Sequence, residues 1–365
     1  MVDPALIRAR LLAQGLAVPA VRDPVDLAAS FLAMQGQDLP GVIASLALRL
    51  AGDDPLGRIA NAVGTGRLVR AYPLRGTVFL MAAEDVRWVT QLCAAAPLRI
   101  SARLCAERGI TPELTARGRG LALEAADAPR GIGRAELIAL WGDAGVPVAG
   151  GGAYHLLTSL VMRGDLVLSH EPTGEERVLL LRRLAAEEHG LEARFDGDEE
   201  AAVAELLLRH LASRGPATVR DASWFSKLPL RRLRAALPRI RDQLEEAGLD
   251  ARGEMRYSRP GIASRLAADP GPADDAFLLP GFDELVLGYP DRLDLIDAEH
   301  HGRLVPGNNG VFQPAVVRRG RVIGLWKREG RPGARRLATT ELAPWPAVAH
   351  RRVRARYSAF PFLRA

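Results

Sequence analysis

The chain has 365 residues, 48% of them hydrophobic and 25% charged, with a mean hydropathy of +0.00. That composition excludes wholesale disorder, a collagen-like repeat and a disulfide scaffold, and the length leaves room for two or three domains with their own cores. Lys and Arg together number 49 against 43 Asp and Glu, a net charge of +6, and the only lysines are Lys227 and Lys327, so 47 of the basic residues are arginine. Such a bias has two readings: GC-rich coding, or a phosphate-binding surface built from guanidinium groups that fork onto phosphate and stay charged. Cys93 and Cys105 stand too far apart on a helical pattern for a metal cluster of the usual spacing, and read as two small buried hydrophobes. The first fifteen residues carry Asp3, Arg8, Arg10 and Gln14 where a secretory signal needs an unbroken apolar run. The apolar stretch 31–50 is likewise cut by Gln35, Gln37, Asp38 and Arg49. A soluble, cytoplasmic protein is expected.

Residues 4–16, 24–34 and 42–50 show apolar side chains at three-to-four spacing, with Asp23 and Pro24 placed as N-cap and first-turn residue. Residues 56–69 extend the helical pattern, and 69–81 follow as two β-prone runs around Arg75-Gly76-Thr77. Helices followed by a basic hairpin are the outline of a winged helix. The outline recurs: helices 134–144 and 154–163 precede a hairpin-like run at 164–182, and helices 201–214, 218–225 and a basic helix 230–247 precede a short extended end. Two acidic stretches, 187–200 and 267–275, read as connectors.

From Phe277 the pattern becomes strand-rich. Runs at 277–288, 308–318, 320–327 and 337–342, punctuated by Gly, Pro and Asn, predict a small antiparallel sheet or barrel. Residues 347–358 predict a closing helix carrying Arg351, Arg352, Arg354 and Arg356.

Charge is concentrated in two places. Residues 218–241 hold seven basic side chains and one acid, and residues 318–336 hold eight and one. Each local excess equals or exceeds the net charge of the whole chain, as a surface that tracks phosphates requires; a solvated helix face and a charged loop are the alternative. Neither run is a long amphipathic helix with an aromatic face, so a membrane surface is not expected.

The common catalytic signatures are missing: no phosphate-binding loop ending in Lys-Ser/Thr, no Gly-x-Ser-x-Gly elbow, no His-Glu-x-x-His pair. Gly150-Gly151-Gly152 reads as a turn between helices, and His300-His301 as part of a solvated loop. Asp283-Glu284 at the edge of an apolar run could face a cleft or serve as structural hydrogen-bond acceptors. The distinctive feature is Gln35-Gly36-Gln37-Asp38 after a strongly apolar helix. Residues i and i+2 lie about 200° apart on an ideal helix, so both amides can serve one site only where the helix breaks or the backbone is extended. Gly36 permits such a break. Paired amides can hold a water against a reacting carbon but supply no useful general base, so they suffice only for a leaving group that is already activated. On these residues alone the pair reads first as a polar helix end.

Several segments occur together in order: Gln35-Gly36-Gln37, Tyr72-Pro73-Leu74-Arg75-Gly76-Thr77, Gly215-Pro216-Ala217-Thr218-Val219-Arg220-Asp221, Leu279-Pro280-Gly281-Phe282-Asp283-Glu284, Gly288-Tyr289 with Asp291-Arg292, Asn309-Gly310-Val311-Phe312 and Gly324-Leu325-Trp326-Lys327-Arg328. As an ordered set they resemble the AlkZ/YcaQ-type family of winged-helix DNA glycosylases, from the first helices to about Arg328. The resemblance implies an α+β fold of tandem winged-helix (helix-turn-helix) units followed by a C-terminal β-rich, barrel-like domain around a basic concave surface. The expected domains are 1–120 with the Gln-x-Gln motif, 121–190, 198–262 and 275–365. It also implies hydrolysis of the N-glycosidic bond of bulky or crosslinking alkylpurines, chiefly N7-alkylguanine, in DNA repair or in self-resistance to DNA-alkylating antibiotics.

Gln35 and Gln37 match the family's Gln-x-Gln branch, with Gly36 where an aliphatic residue is usual. They are the expected catalytic residues. Arg75, Thr77, Arg220, Lys227, Arg231, Arg232, Arg234, Arg321 and Lys327 are the expected DNA contacts, and Asp38, Asp283 and Asn309 the possible cleft-lining residues. An N7-alkylated guanine is cationic and leaves as a neutral base, so the protein need only place water at the anomeric carbon and stabilise positive charge on the sugar. No lysine lies near the motif, which predicts a monofunctional enzyme rather than a lyase. The expected partner is double-stranded DNA carrying alkylated purines, bound by a monomer associated with the nucleoid, with no cofactor, metal or membrane. The rival is a non-catalytic winged-helix DNA-binding regulator; a structural or partner-binding protein is the third reading.

Overall fold

A computed structural model describes residues 2–170, 175–331 and 333–363. The chain divides into two compact units. One combines the residues up to Leu56 with Ala204–Phe225 and the chain from Pro229 onward; the other holds Gly57–Val203 with Ser226–Leu228.

The first unit is organised on a four-stranded antiparallel sheet in the order Ala276–Leu279, Ala315–Arg318, Arg321–Glu329, Arg336–Glu341. Side chains alternate between its faces. Phe277, Leu279, Ala315 and Val317 pack with Ile7 and Leu11 of the helix Pro4–Ala13. Ala276, Leu278, Val316 and Trp326 pack with Ala44, Val353 and Phe360. Both faces are therefore covered, and the sheet is open. The expectation of a barrel-like end is corrected in this respect: apolar residues on both sides of each inner strand call for two covering layers rather than closure around one interior. The closing helix runs Ala347–Ser358, as the sequence indicates.

The helices Glu199–Arg214 and Val219–Ser226, most of whose residues belong to the same unit, and Leu230–Ala236 accompany a three-stranded sheet of Ala217–Thr218, Met255–Ser258 and Glu245–Leu249. The order of helices then hairpin matches the expected outline. The basic helix is shorter than its expected 230–247. Pro238 supplies no amide hydrogen for a further helical turn, so the chain passes through two 3₁₀ turns, Leu237–Arg239 and Arg241–Gln243, and enters a strand.

The second unit places two hairpins side by side, Leu68–Leu74 with Thr77–Ala82 and Leu166–His170 with Glu176–Leu180, joined where Arg70 pairs with Leu168. The expected run 164–182 includes residues 171–174, which lie outside the described residues. Arg75 (φ 55°) and Gly76 (φ 69°) form the two-residue connection of the first hairpin. Positive φ at both central positions gives the primed turn whose twist suits a hairpin. Its helices include Ala83–Cys93, Ala95–Ala106, Pro112–Ala125, Arg134–Asp143 and Gly152–Met162. Trp88 and Trp141 are fully enclosed there, and both cysteines are buried. No helix among the described residues is long and apolar enough to cross a membrane.

Candidate active site

The helix Pro24–Phe31 ends before the Gln-x-Gln segment, and the reason is the backbone at Leu32. Its φ of 65° and ψ of −53° form a tight turn in which the Ala33 N–H donates to the Phe31 carbonyl at 2.8 Å. A leucine in this region costs on the order of 1–3 kcal/mol, and such strain persists only where surrounding contacts enforce it. The chain then runs extended through Met34–Gln35 and enters the helix Leu39–Ala47, with Asp38 at its N-cap. The break that the paired amides require is present, although the helix stops at Phe31 rather than at the expected residue 34.

Two carboxylates far along the chain meet this segment. Glu284 is 2% exposed; its Oε1 accepts the Gln35 N–H at 2.5 Å, and its Oε2 accepts from Arg214 Nη2 at 2.7 Å and Nε at 3.1 Å. Arg214, fully buried, also donates Nη1 to the Phe31 carbonyl at 2.9 Å and Nη2 to the Ala33 carbonyl at 2.7 Å. Its guanidinium lies over the Phe225 ring at 4.3 Å. The strained turn is held at three backbone groups.

Asp283 anchors the end of the helix that follows the motif, through Ser45 and Arg49. It is completely buried and pairs twice with Arg49, at 2.9 Å from Nη1 to Oδ2 and 2.9 Å from Nη2 to Oδ1. It also accepts from Ser45 Oγ at 2.7 Å and from the Leu285 N–H at 2.9 Å. Burial alone would push the Asp283 carboxyl up, but the adjacent Arg49 guanidinium and these hydrogen bonds outweigh it and hold it below the ordinary carboxylate range. Asp283, expected as a possible cleft-lining residue, therefore has its oxygens committed inside the core. Gly41 lets this helix approach closely: a Cβ there would stand 2.9 Å from the Gly281 carbonyl oxygen. Gln14 and Tyr289 join the two ion pairs. Arg49 donates to Gln14 Oε1 at 2.7 Å, Gln14 Nε2 to the Tyr289 hydroxyl at 3.0 Å, and that hydroxyl to the Arg214 carbonyl at 2.6 Å.

Within the motif the two glutamines differ: Gln35 is 6% exposed and Gln37 is exposed. Asp38 is half-buried, and Asn309 lies in an exposed loop where its Oδ1 accepts the Val311 N–H at 3.1 Å.

The expected DNA contacts are dispersed, and several already have acidic neighbours. Glu254 contacts both Arg220 and Arg234, the latter at 3.2 Å. Arg321 pairs with Asp297 at 3.1 Å and Lys327 with Glu329 at 2.7 Å. Arg231 and Lys227 are exposed, and Arg232 is half-buried. Arg75 and Thr77, both half-buried, flank the hairpin turn, with the Arg75 guanidinium 5.4 Å from the Phe79 ring. His300 and His301, expected in a loop, stand on the helix Ala298–Leu304.

Sequence reasoning missed Arg49, Arg214, Gln14, Ser45 and Tyr289. A signal for the two arginines existed. Arg49 directly follows a strongly apolar helix, Arg214 ends a helix with the apolar stretch Leu206-Leu207-Leu208, and the adjacent acids Asp283-Glu284 interrupt an apolar run, so both signs of charge enter the core together and must pair.

Comparison with known proteins first gives the class. The solved structure of Streptomyces sahachiroi DNA glycosylase AlkZ has the same fold, with a TM-score of 0.70 over 96% of this chain and 93% of that one at 22% identity. A family model described as DNA glycosylase AlkZ-like matches residues 28–360. The chain belongs to this AlkZ-like family. Over 175 residues it is 29% identical to the interstrand DNA cross-link repair glycosylase of the same organism, a match covering 47% of this chain and 45% of that protein.

Proposed function

We propose that the protein is a monofunctional DNA glycosylase that hydrolyses the N-glycosidic bond of bulky alkylated purines, N7-alkylguanine above all, and that its substrates include interstrand crosslinks. The observation that carries this reading is that the Gln35-Gly36-Gln37 segment of an AlkZ-like chain lies in a break between two helices, after the strained turn at Leu32, with the backbone extended at Met34–Gln35 and bending at Gln37. A non-helical backbone frees residues two apart from the separation of about 200° that a continuous helix imposes. Gln35 and Gln37 would then hold one water against the anomeric carbon, with Asp38 favouring the positive charge that develops on the sugar. The cationic base departs neutral, so no strong general acid is needed. The cross-link repair for which the Streptomyces relative is named supports the crosslink assignment.

The DNA would be held by phosphate contacts from Arg75, Thr77, Arg220, Lys227, Arg231, Arg232, Arg234, Arg321 and Lys327, and we read the helix-then-hairpin segments as winged-helix modules that carry them. A monomer acting on duplex DNA, in repair or in self-resistance to alkylating agents, suffices for this chemistry. The test is incubation with duplex DNA carrying a defined N7-guanine adduct, followed by detection of abasic sites and of the freed base. Release of the adduct with an intact abasic strand is expected. Tight, sequence-dependent binding to undamaged DNA with no release would favour a non-catalytic regulator instead.

A further inference from the structure

We infer that Arg214 and Glu284 are positioning residues for the Gln-x-Gln site: a buried, charge-neutral clamp that fixes the peptide plane entering Gln35 and thereby aims the motif. The inference rests on the glycosylase reading above and goes beyond it by assigning a function to two side chains buried in the core.

The geometry separates the two oxygens of Glu284. Oε2 takes both Arg214 donors, at 2.7 and 3.1 Å, while Oε1 takes the Gln35 amide at 2.5 Å. Arg214 spends its other donors on the Phe31 and Ala33 carbonyls, at 2.9 and 2.7 Å. Residues 31, 33 and 35 are thus gripped from one point, and the residue between the first two, Leu32, is the one with φ 65°. Without the clamp nothing in the local sequence favours that turn, because leucine belongs on the negative-φ side. A relaxed turn would let the preceding helix continue and would rotate Gln35 relative to Gln37. A hydrogen bond from a backbone amide to a buried carboxylate is strong and directional, and displacement of a catalytic group by about 1 Å can cost on the order of 100-fold in rate. Because the pair is neutral overall, its contribution to the site is orientation rather than field.

Two variants discriminate this role from simple charge compensation. Glu284→Gln cannot satisfy Arg214 and the Gln35 amide as a carboxylate does. Glu284→Asp keeps the charge beside Arg214 but is one methylene short of spanning both partners. Single-turnover release from an N7-alkylguanine duplex is measured with each variant in excess over DNA, together with the dissociation constant for the same duplex and hydrogen exchange at the Gln35 amide. The expected result for both is a release rate lower by about 10- to 100-fold, affinity unchanged, and faster exchange at Gln35 while the core of the sheet stays protected. Glu284→Asp releasing base at the wild-type rate overturns the clamp, as does a slow variant whose Gln35 exchange is unchanged. A rate loss that merely follows the unfolded fraction also overturns it. Wild-type protein that releases no base is a different outcome: it refutes the glycosylase reading and the inference with it.

Discussion

The frame around Asp283-Glu284 and the outer strand pair Arg321–Glu329 and Arg336–Glu341 use the same residue type in opposite ways. In the frame, Arg49 and Arg214 have no exposed side-chain surface, and each is matched by a carboxylate no more than 3% exposed. On the outer strands Arg321 is 46% exposed and its partner Asp297 45%. A guanidinium withdrawn from water needs a partner and a full set of acceptors, so it becomes a fixed strut. A cation left in water gains little from a neighbouring acid and stays available for phosphate. The count of 47 arginines therefore mixes two populations, and only burial tells them apart.

Breaking a strut should produce the largest effect. Asp283→Ala leaves the Arg49 charge buried without its counter-ion and is expected to lower the unfolding free energy by about 3–5 kcal/mol, read from chemical denaturation. If instead the loss stays below about 1 kcal/mol, Arg49 is less desolvated than its burial indicates.

A half-buried network in the second unit sharpens the contrast. Arg70 contacts His170 and Glu176 at 3.1 Å each, and Arg134 reaches Glu176 at 2.7 Å. Burial, with Arg70 adding to it, pushes the His170 imidazole down to about 4. Its folded value lies below the unfolded value near 6.5, so the unfolded chain binds the proton first as pH falls. Stability from this group is complete above pH 6.5 and is lost as the pH falls toward 4, by roughly 3 kcal/mol at most. His170→Gln should flatten that slope in unfolding experiments from pH 7 to 4; an unchanged slope would assign it to carboxylates.

On the exposed side the expected effects are smaller and of another kind. Arg231→Ala with Arg234→Ala should reduce the salt dependence of duplex binding by about one unit of log–log slope for each phosphate left unneutralised, with little change in stability. Glu246→Gln, which removes the exposed partner of Arg241, should change unfolding by less than about 1 kcal/mol.

What the sequence made legible follows the same division. The hairpin turn at Arg75-Gly76 and the closing helix are local matters of turn chemistry and apolar spacing, and both are where the sequence puts them. The order of helices then hairpin around residues 199–258 was legible for that reason too, apart from the helix that Pro238 cuts short. The open, two-faced sheet was misread as barrel-like because short strands with turns look alike in either architecture. At the candidate site the motif itself was legible and its support was not. The turn at Leu32 is enforced by Arg214 and Glu284, roughly 180 and 250 positions away, and no local propensity announces it.

The most direct test of the central proposal is single-turnover release of an N7-alkylguanine from duplex DNA by Gln35→Ala and Gln37→Ala beside the wild-type protein, with the affinity for the same duplex measured in parallel. A loss of at least about 100-fold in release for each variant, with binding retained, is the expected result. Undiminished release by the double variant would contradict it.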